Sequence, residues 1–294
     1  MEWYWLALIS AMLSAFAAIM QKKVLGSISA LRFSVIVSIF IALFSTILIS
    51  YLNFSAAGTA SILILFLKSI INASAFLCIM TALKHLEISR SLPLLAASPM
   101  LVALLAFIFL GEALTLFEVF GMLLIVTGTY ILELKKNEKL SDPFRVFIDS
   151  KYHRLILLAL GLMSVSAVID KLLLGKFKLP PLTFLIIQNY FFLIIFFIYW
   201  NFHKLKNRQE KLFSGLNKTI LIIIIIIAVV TIGYRWTQIE STKLAPVGLV
   251  ISLKRLSVLF AVIIGAKLFK EENYLRKVIA TAFIVAGALM IYED

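Results

Sequence analysis

APVGLVISLKRLSVLFAVIIGAKLFKEE, residues 245–272, is apolar at nearly every position from Val247 to Ala266, yet carries two adjacent cations, Lys254 and Arg255, near its middle. A run of that length can cross a bilayer as a helix. A charge at mid-bilayer costs about 3 kcal/mol or more, so such residues face a bundle interior or a wet cavity. The stretch has an earlier relative, LEISRSLPLLAASPMLVALLAFIFLGE at 86–112, again an apolar span ending in Glu. Glu112 and Glu271 stand 159 residues apart, and Gly128 and Gly287 repeat the spacing, each 16 residues beyond its Glu. The chain is therefore read as a repeat.

Of the 294 residues 62% are hydrophobic and 15% charged, whereas soluble domains hold ~45–50% apolar and ~25% charged residues. The net charge of +13 could suggest nucleic acid. Its cations fall mainly in short loops between apolar runs, so membrane topology accounts for them and no nucleic-acid partner is expected. Cys78 is the only cysteine, which excludes an intrachain disulfide and a cysteine-based metal site. The N-terminus lacks the basic stretch of a cleavable signal and reads as a first span, anchored at the interface by Trp3, Tyr4 and Trp5. His85, His153 and His203 are far apart, and HExxH, a Gly-rich phosphate loop and a nucleophile elbow are absent. No catalytic residue, metal or cofactor is expected.

Apolar runs fall at 3–21, 30–51, 60–83, 89–110 and 115–134, then at 154–174, 181–201, 217–239, 246–268 and 274–292. This predicts an all-α integral membrane protein of ten transmembrane helices. A first repeat covers 1–134 and a second 154–294; between them 135–153 is a polar connection with a short interfacial helix from Pro143 to Asp149. The loops after spans 1, 3, 5, 7 and 9 hold two, two, six, five and four Lys and Arg, against four in all on the other side. That bias predicts termini outside the cytoplasm, with loops 84–90, 135–153 and 202–217 inside, in the plasma or inner membrane. Five spans per half force the second half to run inverted. Ala18-Ile19-Met20-Gln21-Lys22 also aligns with Ala167-Val168-Ile169-Asp170-Lys171. Inverted five-helix repeats build many secondary transporters, with substrate at the midplane.

Pro99, Leu110-Gly111-Glu112, Gly121 and Gly128, with the echo Leu253-Lys254-Arg255-Leu256-Ser257, Phe269-Lys270-Glu271 and Gly287, resemble the EamA repeat of the drug/metabolite transporter superfamily. The second copy departs at Lys270, where a Gly precedes Glu in the first, and at Ala280, which matches Gly121. The resemblance implies a ten-helix carrier of small metabolites working by alternating access. Spans 1–4 and 6–9 would line its cavity, with spans 5 and 10 supporting from outside.

Candidate site residues follow from the expense of polar groups inside a span. Lys254 and Arg255 read as a cation pair for a carboxylate or phosphate. The alternative is structural pairing with Glu240, Asp170 or helix-end carbonyls. Consecutive helix residues point about 100° apart, so one of the two is expected to face the axis fully. Arg235, with Tyr234 and Trp236 beside it, lines a substrate path or pairs with Glu240. Lys68 shares a face with Asn72 and lines a polar cavity or snorkels outward. Gln188 and Asn189 contact substrate or join helices. Asp170 reads as a span-end partner of Lys171, with proton coupling as the alternative. Glu112 and Glu271 read as caps or partners of a basic neighbour.

The expectation is a secondary-active carrier of a small anionic or zwitterionic metabolite, of amino-acid or organic-acid type, in a lipid bilayer. A coupling proton or counter-substrate, and the oligomeric state, stay open. The rivals are an exporter of cationic or aromatic compounds, an intramembrane enzyme and a non-transporting scaffold.

Overall fold

The computed structural model describes residues 2–53, 57–85, 98–133, 151–206, 211–214, 216–257, 279–280, 282–287 and 290. The expected interfacial helix from Pro143 to Asp149, Pro93 and Glu271 lie outside them. Among the described residues the regular structure is all helical: α1 (Trp3–Leu25), α2 (Ala30–Ile47), α3 (Thr59–His85), α4 (Ser98–Leu110), α5 (Leu116–Glu133), α6 (Lys151–Gly175), α7 (Pro181–Lys206), α8 (Lys218–Leu244) and α9 (Val247–Lys254), with one 3-10 turn at Ile49–Tyr51. Residues 279–280 and 282–287 are also helical. Six of these, α1–α3 and α6–α8, are long and apolar enough to cross a membrane.

Local chemistry sets the ends. Ser29 accepts the Arg32 N–H at the start of α2, and Asn217 Oδ1 accepts the Ile220 N–H (2.8 Å) at the start of α8. Thr115 and Glu118 form a reciprocal capping box on α5, at 2.7 and 3.2 Å. α8 runs to Leu244, five residues past its expected end. Its last polar residues find helical partners: Thr242 Oγ1 donates to the Gln238 carbonyl and Ser241 Oγ to that of Trp3. Pro246 then stops the chain from continuing.

The bundle reverses the inside-out rule of water-soluble proteins. Large apolar side chains such as Met12, Leu43, Leu63, Leu67, Phe107 and Phe120 point outward, as a lipid solvent permits. The contacts between helices use small residues: Ala7, Ala11 and Ala15 are buried along α1 at four-residue spacing. α1 packs on α8 and α9, α3 on α6, α2 on α7, and α4 on α6 and α9.

The two ends of the bundle differ. At one, Lys22 Nζ donates to the Leu83 carbonyl, Lys84 Nζ to that of Ile28 (3.1 Å), Arg32 to that of Leu212 (3.0 Å), and His85 stacks on Tyr152 at 4.3 Å. Lys22, Arg32 and Lys84 gather there. At the other, Asn53 N–H bonds Thr183 Oγ1 (3.1 Å), and Lys171 Nζ donates to the carbonyls of Thr242 (3.0 Å) and Ala245 (2.7 Å).

The closest backbone approach joins α5 to the last helix. A Cβ on Gly128 would lie 2.7 Å from the Ala280 oxygen and 2.7 Å from Ile284; a Cβ on Gly287 would lie 2.4 Å from the Gly121 oxygen and 2.9 Å from Ile125. Replacing Gly128 or Gly287 by Ala therefore pushes two backbones apart. Each change is expected to cost about 1–3 kcal/mol, read as a lower melting temperature of the detergent-purified protein. Gly161→Ala, where a Cβ meets nothing within 4 Å, should melt no lower than the parent protein.

Candidate functional site

A cavity of about 190 Å³ opens between the helices, room enough for water or a small solute. Its wall comes from both halves: Ser14 and Ala18 on α1, Asn72 on α3, Ser98 and Val102 on α4; Met163, Ser164, Ser166, Ala167 and Asp170 on α6, Arg235 and Gln238 on α8, Ile251 and Lys254 on α9, then Arg255 and Ser257. α2 and α7 give no residue to this wall. Small side chains leave the room, and the hydroxyls of Ser14 and Ser164 are held by their own helices, donating to the Ala11 carbonyl at 3.1 Å and the Leu160 carbonyl at 2.8 Å.

The charges form one connected cluster. Lys68 Nζ lies 2.5 Å from Asp170 Oδ1, with 0% and 5% of the two side chains exposed. The ammonium also sits 4.9 Å over the Phe184 ring. Asp170 Oδ2 lies 3.7 Å from Arg235 Nη2. Arg235 is gripped by amides: Nη2 donates to Gln188 Oε1 (3.0 Å) and Nη1 to Gln238 Oε1 (3.1 Å). The same Gln238 oxygen accepts from Lys254 Nζ, which lies 5.1 Å over the Tyr234 ring. One neutral oxygen thus holds two cations together. Arg255 Nε donates to Ser98 Oγ at 2.9 Å. Gln188 Nε2 is buried without a hydrogen-bond partner.

Several expectations are corrected. Both Lys254 and Arg255 line the cavity, because the 100° between them turns each to a different wall, α8 and α4. Asp170 does not pair with Lys171. It points inward to Lys68 and Arg235, and Lys171 meets Glu112 at 3.5 Å. A carboxylate therefore does stand among the buried cations. Arg235 turns to Asp170 and the two glutamines instead of Glu240. Trp236 is 45% exposed on the outside of the bundle, since it is one residue from the inward Arg235 and so rotated away from it. Asn189 is turned from the cavity in the same way and donates to Ser45 Oγ at 2.9 Å, joining α7 to α2. Lys68 sits behind the wall; Asn72, one turn on, is in it. Tyr234 meets Lys254 only through its ring. From sequence Asp170 reads first as a span-end residue and Gln238 only as a polar neighbour of Arg235, and the wall serines give no signal of their own. Met163, Ser166, Ala167 and Asp170 do follow the 3–4–7 spacing of one helix face, the signal that could have found them.

Asp170→Asn would leave the Lys68 ammonium buried without a counter-charge, a loss of about 3–5 kcal/mol. We expect a strongly lowered melting temperature, largely restored in the double variant Lys68→Met/Asp170→Asn. Equal melting of the single and double variants would contradict the pairing.

The sequence family described as EamA-like transporter family matches this chain twice, over residues 1–134 and 151–293. No curated protein matches it. Among solved structures, one described as "Crystal structure of protein" superposes with a TM-score of 0.68 at 16% identity, covering 96% of each chain; at that identity the likeness speaks for the fold alone. With nearly the whole length matched in two copies, the chain belongs to the EamA-like transporter family of the drug/metabolite transporter superfamily and is a multi-pass membrane transporter.

Proposed function

We propose that the protein carries a small anionic or zwitterionic metabolite, of organic-acid or amino-acid type, by alternating access through the central cavity. The observation that carries this reading is the side-chain oxygen of Gln238, Oε1, shared by Arg235 and Lys254. Two like charges drawn to one neutral acceptor repel each other, and an anion placed between them removes that cost. Around the cavity Lys68, Arg235, Lys254 and Arg255 face the single carboxylate of Asp170, so the cluster carries excess positive charge. Wall serines and Asn72 offer hydrogen bonds to the rest of the solute.

Alternating access needs two related halves, and internal contacts support an inverted repeat. Gly128 meets Ala280 and Ile284, while Gly287 meets Gly121 and Ile125; adding 159 to each first-half number gives its second-half mate. The contact is self-reciprocal and antiparallel, as a two-fold axis in the membrane plane requires. Lys22 bonded to the Leu83 carbonyl likewise mirrors Lys171 bonded to that of Thr242. The gathering of Lys22, Arg32 and Lys84 at one end supports a cytoplasmic location for that end and an extracytoplasmic one for the termini.

In proteoliposomes, Lys254→Gln and Arg235→Gln should each lower uptake of a transported anion by about ten- to a hundredfold below saturation, the loss of one charged hydrogen bond. Their melting temperatures should stay near that of the parent. Full uptake in both variants would reject the anion reading.

A further inference from the structure

At the end of the bundle that bears the N-terminus, one carboxylate ties the first half to the second. Gly111, at φ 69°, ends α4 in the left-handed region, and the Glu112 N–H turns back toward the Ala106 carbonyl at 3.4 Å. That turn folds Glu112 over the bundle. Its Oε2 accepts the Val247 N–H at 3.0 Å, the first of α9, and its Oε1 lies 3.5 Å from Lys171 Nζ. Lys171 in turn donates to Thr242 and Ala245, the carbonyls at the break between α8 and α9. One side chain of the first half thereby binds the end of α6 and the start of α9, both in the second half.

Two consequences make this more than a helix cap. First, Lys254 lies seven residues beyond Val247 on α9, about 11 Å along the axis, and lines the cavity with Arg255. A side chain that fixes the first turn of this helix bears on the aim of cations only two turns further on. Second, the tie crosses between halves that must part if solute is to enter or leave at this end. The Glu112 and Lys171 side chains are 15% and 18% exposed, so water can replace their bonds as they separate, which it cannot do for Lys68 and Asp170.

We infer that Glu112 is a positioning residue of the transport cycle. Bound to Val247 and Lys171, it aims the α9 cation pair into the cavity and keeps the end bearing the N-terminus closed; its release opens that end. The inference rests on transport by this family and not on the charge of the substrate.

The test uses the full chain in membrane vesicles of both orientations. Cys78→Ser removes the native thiol, and Ser164→Cys places a reporter in the cavity wall. A membrane-impermeant maleimide is applied to one face at a time. Glu112→Ala should raise labelling from the N-terminal face by about ten- to a hundredfold, the shift expected when a charged hydrogen bond is lost, while labelling from the opposite face falls. Glu112→Gln keeps an acceptor for Val247 and should give a smaller rise of the same sign, as should Lys171→Met. Unchanged labelling from the N-terminal face in Glu112→Gln and Lys171→Met overturns the inference. So does an equal rise from both faces, which would report general loosening. If Glu112→Ala does not fold, the other two variants decide.

Discussion

An ammonium with no exposed surface, Lys68, must be neutralised where it stands, and Asp170 does so from a different half of the chain. Desolvating two charges is so costly that the pair adds little stability compared with an apolar contact of equal size, but removing either partner alone is severe. The pair is therefore better understood as a constraint than as glue. It fixes α3 against α6 at one depth. It also brings the Asp170 carboxylate within reach of Arg235, which Gln188 and Gln238 hold in place, and Gln238 passes the order on to Lys254. Arg255 stands outside this chain of contacts and is held by Ser98.

The rest of the bundle supplies what that cluster needs. Without a hydrophobic force between helices in lipid, close approach depends on small residues. The buried alanines of α1 let it lie on α8, and Gly128 and Gly287 let α5 lie on the last helix. The latter contact stands apart from the cavity wall.

Spans could be read from sequence because twenty apolar residues have few other uses, and α1, α2, α3 and α6 lie within a few residues of expectation, whereas α7 and α8 run five residues further. Where side chains point was harder to read. Asp170 sits next to Lys171, so linear adjacency suggested a surface pair; the helix turns them apart, one to Lys68 and one to Glu112. Trp236 and Asn189 failed for the same reason: each neighbours a residue that does face the cluster. Gln238 was legible only as a polar residue near Arg235, because its role depends on Lys254 arriving from another helix. Periodicity assigns a face to each helix, but which face meets which depends on packing that no single span encodes.

How the halves share the contacts bears on how they can move. Arg235, Gln188, Gln238, Tyr234 and Lys254 all belong to the second half, so the two cations that share the Gln238 amide oxygen stand on one half. The first half contributes Ser14, Asn72 and Ser98 to the cavity. Its polar ties to the second half include Trp3 to Ser241, Arg32 to Leu212, Ser45 to Asn189 and Asn53 to Thr183. Three more bear charge close to the cavity or to the end that carries the N-terminus: Lys68 to Asp170, Ser98 to Arg255, and Glu112 to Val247 and Lys171. These differ greatly in the cost of breaking them. The hydroxyl of Ser98 gives up one hydrogen bond, and Glu112 and Lys171 have water at hand, whereas separating Lys68 from Asp170 strands a buried charge. Any parting of the halves that leaves that ion pair closed therefore avoids the costliest of these three separations.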